Sequence, residues 1–438
     1  MFSASPPTPV ATREGNAIRF RAMPVPRRLA VPVGGFGSAD AVEIKPPGTV
    51  VGRGEALAEN VPQAMAAPLA PADGRVVGEG PAHASADHRL RAVLIDCDPA
   101  VDVPREDITT TPEMIDAMLR RLRGMDIGAG IDALRSRGVW ANRWTSPDLL
   151  AQLHASLRRP VDTVVCNVLD EDVALPLQAR VAAAYGMEVT AGVLALAALT
   201  KARRAWAAVA YYADPACWDS LRRSSAKNDL HLVALRNDYP RAHPTLLLHE
   251  LADRALRPDR LPTEQGVLLL DTAAAAAVGR CFLRDEPMLT VPMAVRDRSL
   301  NKTHYLEVPV GAAYSDVLSD LGLRADRIDL RAGNPLREQH VVASCIATGG
   351  ELTLTLLTPA VAVNPDPCIR CAWCVEGCPV HIQPAGLLEA AQQDDPYMAH
   401  QYGLEACVEC GICSFVCPSH LPILAGIRAL RSEHAKKR

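Results

Sequence analysis

The sequence predicts a multidomain chain of mixed α/β and α+β class that ends in a cysteine-rich module. Three observations carry this reading. Short apolar runs broken by Gly and Pro fill the text between Arg27 and Ala100. Helical and β-branched stretches then alternate from Thr110 to Gly266, and two four-cysteine runs close the chain. A chain of 438 residues has room for about three to four domains with cores of their own.

Taken in order, residues 1–25 are rich in Pro, Ala and Ser and read as a disordered tail. Residues 26–105 carry β runs at Leu29–Val33, Val50-Val51 and Pro68–Val77, with a turn at Asp73-Gly74. Their pattern, PPGTVVGRGEALAE followed by APLAPADGRVVGEG, resembles a barrel-sandwich hybrid, the fold of biotinyl and lipoyl carriers. Those carriers present a modified lysine at the hairpin tip. Here the turn reads Ala72-Asp73-Gly74-Arg75, so the domain is expected to be structural.

Residues 110–270 suggest a Rossmann-like α/β domain. Pro112–Arg123, Pro147–Arg158, Leu175–Gly186 and Thr245–Leu256 read as helices, and Asp162–Val168, Ala205–Tyr212 and Leu230–Leu235 as strands. The apolar runs Val189–Thr200 and Gly266–Gly279 fall short of the roughly 18 residues that a membrane span needs, and are expected to be buried helices. Residues 280–358 suggest a β-grasp (SLBB-like) unit built from Met288–Val295, Thr303–Val310, the helix Tyr314–Leu321, Arg327–Leu330 and the strand Leu352–Leu357. A Pro-bearing linker opens residues 359–425, and residues 426–438 form a basic tail with Arg428, Arg431, Lys436, Lys437 and Arg438, read as a solvated helix end.

The cysteine module is the most specific signal. Cys368-x2-Cys371-x2-Cys374-x3-Cys378-Pro379 recurs 39 residues later as Cys407-x2-Cys410-x2-Cys413-x3-Cys417-Pro418. This is the bacterial ferredoxin spacing for a [4Fe–4S] cluster, in which three thiolates of one loop wrap one cluster and the fourth ligates the other. One cluster then takes Cys368, Cys371, Cys374 and Cys417, and the other takes Cys407, Cys410, Cys413 and Cys378. Structural zinc is the alternative, but zinc sites usually separate two CxxC pairs by a longer spacer. His381 and His420 each follow a cluster Cys by three residues. With four thiolates per cluster already present, they are expected to pack near helix starts where Pro379 and Pro418 would sit at the first helical position.

Composition sets outer limits. The net charge of −4 gives no sign of a nucleic-acid partner. Thirteen cysteines, an odd number that includes eight cluster candidates, point to a reducing compartment. The five others, Cys97, Cys166, Cys217, Cys281 and Cys345, are expected to be buried small hydrophobes. The N-terminal text lacks a basic segment followed by an apolar core, so no secretory signal is expected.

This domain order resembles the RnfC family, the C subunits of the Rnf electron-transport complexes, over nearly the whole chain. The resemblance is carried by GGF at Gly34–Phe36, CIRC with CVEGCP across Cys368–Pro379, and CVECGICSFVCPSHLP across Cys407–Pro422. The central two domains are also similar to the flavin subunit of respiratory complex I. The resemblance implies a cytoplasmic, peripheral subunit on the inner face of a bacterial plasma membrane. Its partners would be membrane-integral and other redox subunits that move Na⁺ or H⁺, with a soluble ferredoxin or flavoprotein as donor or acceptor. It also implies electron flow from NADH through FMN to two [4Fe–4S] clusters.

At three places the text departs from that family's flavin and NADH pocket. A Gly-rich loop, GxGGAGFPT-like, lets backbone N–H groups approach phosphate and flavin. The corresponding text is Arg137-Gly138-Val139-Trp140-Ala141-Asn142-Arg143-Trp144-Thr145, with Gly128-Ala129-Gly130 as a weak substitute nearby. An NGAECEP-like element becomes Asn167-Val168-Leu169-Asp170-Glu171-Asp172, and a YPQGGE-like one becomes Tyr239-Pro240-Arg241-Ala242-His243-Pro244. Asn167, Asp170, Glu171 and Asp172 remain the candidates for a flavin or nucleotide contact. The favoured function is an electron-relay subunit of a membrane-associated Rnf-like oxidoreductase, its central domains serving as a docking scaffold. The alternatives are an NADH dehydrogenase subunit with a rebuilt FMN pocket and a soluble ferredoxin-like or assembly protein.

Overall fold

The computed structural model describes residues 19–33, 42–85, 88–98, 109–323, 328–359 and 363–436. The Gly34–Phe36 motif, residues 1–18 of the expected tail, Arg327, Lys437 and Arg438 lie outside the described residues.

The first sheet is antiparallel, in the order Arg28–Pro32, His88–Cys97, Gly74–Ser85, Val50–Val51. Alternation decides which face is buried: Leu29 and Val31 point inward while Arg28 stays in solvent. The Asp73-Gly74 turn is where the chain passes closest to its neighbour. A Cβ on Gly74 would lie 2.5 Å from the Asp96 carbonyl oxygen, so only glycine fits there.

The central sheet is parallel, in the order Leu230–Leu235, Arg204–Ala210, Thr163–Asn167, Val267–Asp271. Every residue of its two strands Thr163–Asn167 and Val267–Asp271 is buried, as a sheet covered on both faces requires. On one face, the helices Gly186–Thr200 and Thr272–Arg284 cross at Gly192 and Gly279. Cβ atoms at these positions would lie 1.9 Å from the Ala275 carbonyl oxygen and 2.0 Å from that of Glu188. The helix Pro244–Ala252 covers the other face, through Leu247 and Leu248 against Val165 and Leu269.

Here two expectations are corrected. The run Gly266–Gly279 is not one buried helix: it is the strand Val267–Asp271 followed by the helix Thr272–Arg284. An apolar run by itself suits either element. The break falls at Asp271, whose carboxylate accepts from the Ala274 N–H at 2.9 Å and caps the helix. Likewise, Gly128-Ala129-Gly130 forms no loop but lies in the helix Ile127–Ser136.

The third sheet has six strands, in the order Arg21–Ala22, Lys302–Pro309, Thr290–Asp297, Thr353–Leu357, Asp329–Ala332, His340–Val341. The helix Tyr314–Asp320 packs on it through Tyr314, Val317 and Leu318. Its first strand, Arg21–Ala22, lies within the stretch read as tail, so that expectation is corrected for residues 19–25. Phe20 explains this, because its ring sits 5.7 Å from Tyr185 and 5.8 Å from Tyr305.

A single apolar cluster runs through all three sheets, and the cysteine module has a core of its own. Its helix Ile423–Lys436 buries Ile423, Leu424, Ile427 and Leu430, so the start of the expected solvated tail is packed, while Ser432 and Glu433 are exposed. All five scattered cysteines are buried. Among the described residues no single helix is long and apolar enough to cross a membrane.

Candidate iron–sulfur centres

The two cysteine loops fold as twins. Positions offset by 39 share left-handed backbone: Arg370 and Glu409 at φ 54° and 53°, Ala372 and Gly411 at 65° and 77°, His381 and His420 at 52° and 53°. The same offset relates the short helices Trp373–Glu376 and Ile412–Phe415. In each loop the N–H two residues after the first cysteine donates to its sulfur at 3.4 Å, Arg370 to Cys368 and Glu409 to Cys407. Such N–H···S bonds favour the thiolate form that an iron corner requires.

The fourth cysteine of the first loop lies among the thiols of the second. A cavity of about 320 Å³, open space included, is lined by Cys378 together with Cys407, Cys410 and Cys413. On the opposite side, the Ser419 hydroxyl donates to the Pro367 carbonyl at 3.0 Å and the Asp366 N–H donates to the Ser419 carbonyl at 3.0 Å. These bonds bring the Cys417 turn beside Cys368.

The residues fit two clusters chemically. Burial, together with the neighbouring Cys407 and Cys378 thiolates, pushes the Cys410 thiol up to about 12, and burial raises Cys413 and Cys407 as well. Thiols gathered in this way ionise together only around positive charge, which iron supplies. Among the described residues no three His, Cys, Asp or Glu groups converge as on a single ion. A cubane asks for no such convergence, because each thiolate takes a different iron corner.

His381 and His420 are exposed, so neither has the packing role expected of it. Nor do Pro379 and Pro418 start helices. They lie in turns, and the following helices begin at Pro384 and Ile423.

The second loop is latched to the central body. Trp144 Nε1 donates to the Val408 carbonyl at 2.9 Å, and the Tyr239 hydroxyl donates to the Cys410 carbonyl. The two rings stack 6.0 Å apart, with His243 edge-on to Trp144 at 4.9 Å. Burial pushes the Tyr239 phenol up, so it keeps the proton it donates. The Arg337 guanidinium lies over the Trp144 ring and bridges Glu171 at 2.9 Å and Glu351 at 3.2 Å. From the module's own side, Glu409 holds Arg428 and Arg431, and Arg431 also donates to the Cys407 carbonyl. Sequence reasoning missed the latching roles of Trp144, Tyr239, Arg337 and Glu409, because their partners are 14 to 264 residues away.

The flavin and nucleotide candidates are all engaged within the chain. Asn167 Nδ2 donates to the Thr145 and Ala242 carbonyls at 3.1 and 2.8 Å, while its Oδ1 accepts from Leu169 N–H. Asp170 accepts from the Gln178 N–H at 2.5 Å, and burial raises it to about 8. Glu171 is taken by Arg337 and by the Asn334 N–H, and Asp172 by the Ala174 N–H. In the segment that replaces the Gly-rich loop, Arg143 forms a two-pronged pair with Asp271 at 2.7 and 2.5 Å and also donates to the Gly349 carbonyl. These polar groups are thus taken up within the chain, and beside them Arg143, Thr145, Asp170, Glu171 and Asp172 line an opening of about 340 Å³, open space included.

Comparison with known proteins agrees with the cysteine geometry. The 4Fe-4S dicluster domain family matches residues 367–422. The chain is 27% identical over 216 residues to the C subunit of the ion-translocating oxidoreductase complex of Pasteurella multocida, a match covering 48% of this chain and 25% of that one. It is 23% identical over 379 residues to the C subunit of the proton-translocating ferredoxin:NAD(+) oxidoreductase complex of Clostridium ljungdahlii, covering 85% and 80%. The C subunit of the Rhodobacter capsulatus ion-translocating oxidoreductase complex is 24% identical over 399 residues, covering 87% and 73%. This chain therefore spans only about a quarter of the Pasteurella multocida relative, although it matches most of the latter two. A chain of an NAD⁺-reducing [NiFe]-hydrogenase superposes with a TM-score of 0.48 at 15% identity, over 74% of this chain and 63% of that one.

The cysteine loops and the family match define a protein that carries a two-[4Fe–4S] dicluster domain. More particularly, the chain is a divergent relative of the RnfC proteins of the ion-translocating Rnf complexes.

Proposed function

We propose that this chain is the electron-relay subunit of a membrane-associated Rnf-like oxidoreductase, and that it works without a flavin of its own. Cys368, Cys371, Cys374 and Cys417 hold one cluster, and Cys407, Cys410, Cys413 and Cys378 the other. Each cluster, when bound, takes up and passes on one electron at a time, at a potential set by hydrogen bonds, burial and local charge. The chain's own residues hold the thiolates, exclude water from the inner set, and fix the module against the central body through Trp144 and Tyr239.

The central body is read as a scaffold of barrel-sandwich-hybrid-like, Rossmann-like and β-grasp-like units. Its partners in this reading are the membrane-integral and redox subunits of the complex, met at the inner face of the membrane. One observation supports the reading: the groups of the segment that would cradle a flavin are spent within the chain, Arg143 on Asp271 and Gly349, and Trp144 and Tyr239 on the second cysteine loop. A flavin-bearing NADH dehydrogenase would need those groups free.

The test is anaerobic purification followed by iron counting, a visible spectrum and an assay for acid-released flavin on one sample. About eight iron atoms without flavin is the expected result. One FMN per chain with NADH-dependent bleaching would overturn the proposal in favour of a rebuilt NADH site.

A further inference from the structure

Each cysteine loop directs one peptide N–H at its first ligand, Arg370 to Cys368 Sγ and Glu409 to Cys407 Sγ, at 3.4 Å in both. The Glu409 N–H shares its peptide unit with the Val408 carbonyl, which accepts from Trp144 Nε1 at 2.9 Å. A continuous chain therefore runs from the indole N–H, through one peptide group, to a ligand sulfur. In the first loop the matching unit joins the Ile369 carbonyl to the Arg370 N–H. Among the described residues nothing donates to that carbonyl. Ile369 is 67% exposed where Val408 is 3%.

Both ends of the chain are held. Trp144 stacks on Tyr239 at 6.0 Å, meets His243 edge-on at 4.9 Å and lies under the Arg337 guanidinium at 5.3 Å. The Glu409 carboxylate accepts from Arg428 at 3.1 Å and from Arg431 at 2.6 Å. Donor and peptide are thus fixed relative to one another, and burial of Val408 keeps water from competing for its carbonyl.

We propose that Trp144 is a tuning residue for the second cluster, raising its reduction potential through the Val408–Glu409 peptide. The inference rests on the two-cluster relay reading above. Reduction brings one electron from a neighbouring redox centre and neither forms nor breaks a bond. The added negative charge is shared with the ligand sulfurs, so an N–H···S bond is stronger in the reduced state and favours it. A donor on the carbonyl of the same peptide polarises its N–H, and hydrogen bonds linked in this way strengthen one another by roughly 10–30% each. Cys368, whose peptide has no such partner, gains nothing from it.

The test is a redox titration of the full-length holoprotein, followed by visible absorbance and electron paramagnetic resonance, beside that of Trp144→Phe. This variant keeps an aromatic ring but lacks the N–H. Iron should stay at about eight atoms per chain. One of the two one-electron steps should move to lower potential. At a fixed solution potential its ratio of reduced to oxidised cluster should fall about threefold, or about 30 mV at 59 mV per tenfold. The other step should not move. Tyr239→Phe separates tuning from simple loosening of the contact. The hydroxyl it removes bonds the Cys410 carbonyl, and the N–H of that peptide, on Gly411, donates to no sulfur among the described residues. It should shift the same step by less than half as much. No shift in Trp144→Phe, a shift upward, an equal shift of both steps, or a shift in Tyr239→Phe of half the size or more would each refute the tuning role. If Trp144→Phe lowers the iron count, Trp144→Tyr, which also lacks the indole N–H, decides on the same readings. Wild-type protein without about eight iron atoms would overturn the relay reading itself, and the tuning role with it.

Discussion

Arg143 and Asp271 form a two-pronged ion pair at 2.7 and 2.5 Å, with side chains only 6% and 0% exposed. Asp271 also caps the helix Thr272–Arg284, so one carboxylate ends a strand, starts a helix and neutralises an arginine. Thr145 and Gln178 add hydrogen bonds to it at 3.3 Å each. The pair ties the segment around Arg143 to the start of the helix Thr272–Arg284.

Removing one partner should therefore be costly. Arg143→Ala leaves a buried carboxylate uncompensated, which typically costs about 3–5 kcal/mol. Thermal unfolding of the central body should shift down accordingly, and FMN should still fail to bind. A variant that keeps its stability and takes up FMN would show that the pair merely plugs a working site.

His243 predicts an acid limit. It is buried, its Nδ1 accepts from the Thr245 N–H at 3.2 Å, and burial, with Arg337 and Arg431 adding to it, lowers the imidazole to about 3. The folded state thus binds fewer protons here than the unfolded state does. Stability from this group is complete above the unfolded value near 6.5 and is lost as pH falls from there toward about 3. His243→Asn keeps a capping acceptor but does not titrate, so its denaturation midpoint should change less over that window. Equal slopes for the two proteins would count against the assignment.

Asp170 predicts the opposite slope. Burial raises it to about 8, so the folded protein holds a proton that the unfolded chain releases near 4. Stability should decline as pH rises between those values. Asp170→Asn, which still offers an oxygen to Gln178 N–H, should remove that decline in chemical denaturation at pH 5 and pH 8.

Gly411→Ala should loosen the cysteine module from the central body, because the added methyl group cannot fit against the Leu336 carbonyl. Faster proteolysis between the two, with cluster absorbance at first retained, is the expected signature. Ala372→Gly, at the uncovered twin, should have no such effect.

Cys371→Ser should lower the iron content below about eight per chain and, because the module's core is built around both cysteine sets, destabilise the module as a whole. Retention of all eight would mean that Cys371 is not a ligand.

How much of this was legible in the sequence follows from the range of each interaction. Tight thiolate spacing is a local demand of the chain, so the two cysteine runs point to two [4Fe–4S] clusters without any structure, and their crossed pairing is part of the proposal. The strands Thr163–Asn167 and Leu230–Leu235 were likewise readable from β-branched and apolar text. Gly266–Gly279 was not, since apolar composition suits a buried strand as well as a buried helix, and Asp271 shows its capping role only once both elements are in place. Phe20 could not be told from tail without its partners Tyr185 and Tyr305.

The sequence alone determined the cofactor class and the eight candidate ligands, because ligand spacing is written within a few residues. Tertiary structure alone decided that Arg143 pairs with Asp271, that Trp144 and Tyr239 hold the second loop, and that Cys368 and Cys371 of the first loop are exposed. Those outcomes depend on burial and on pairing between residues up to 264 positions apart, and burial is a property of the packed chain rather than of any stretch of it.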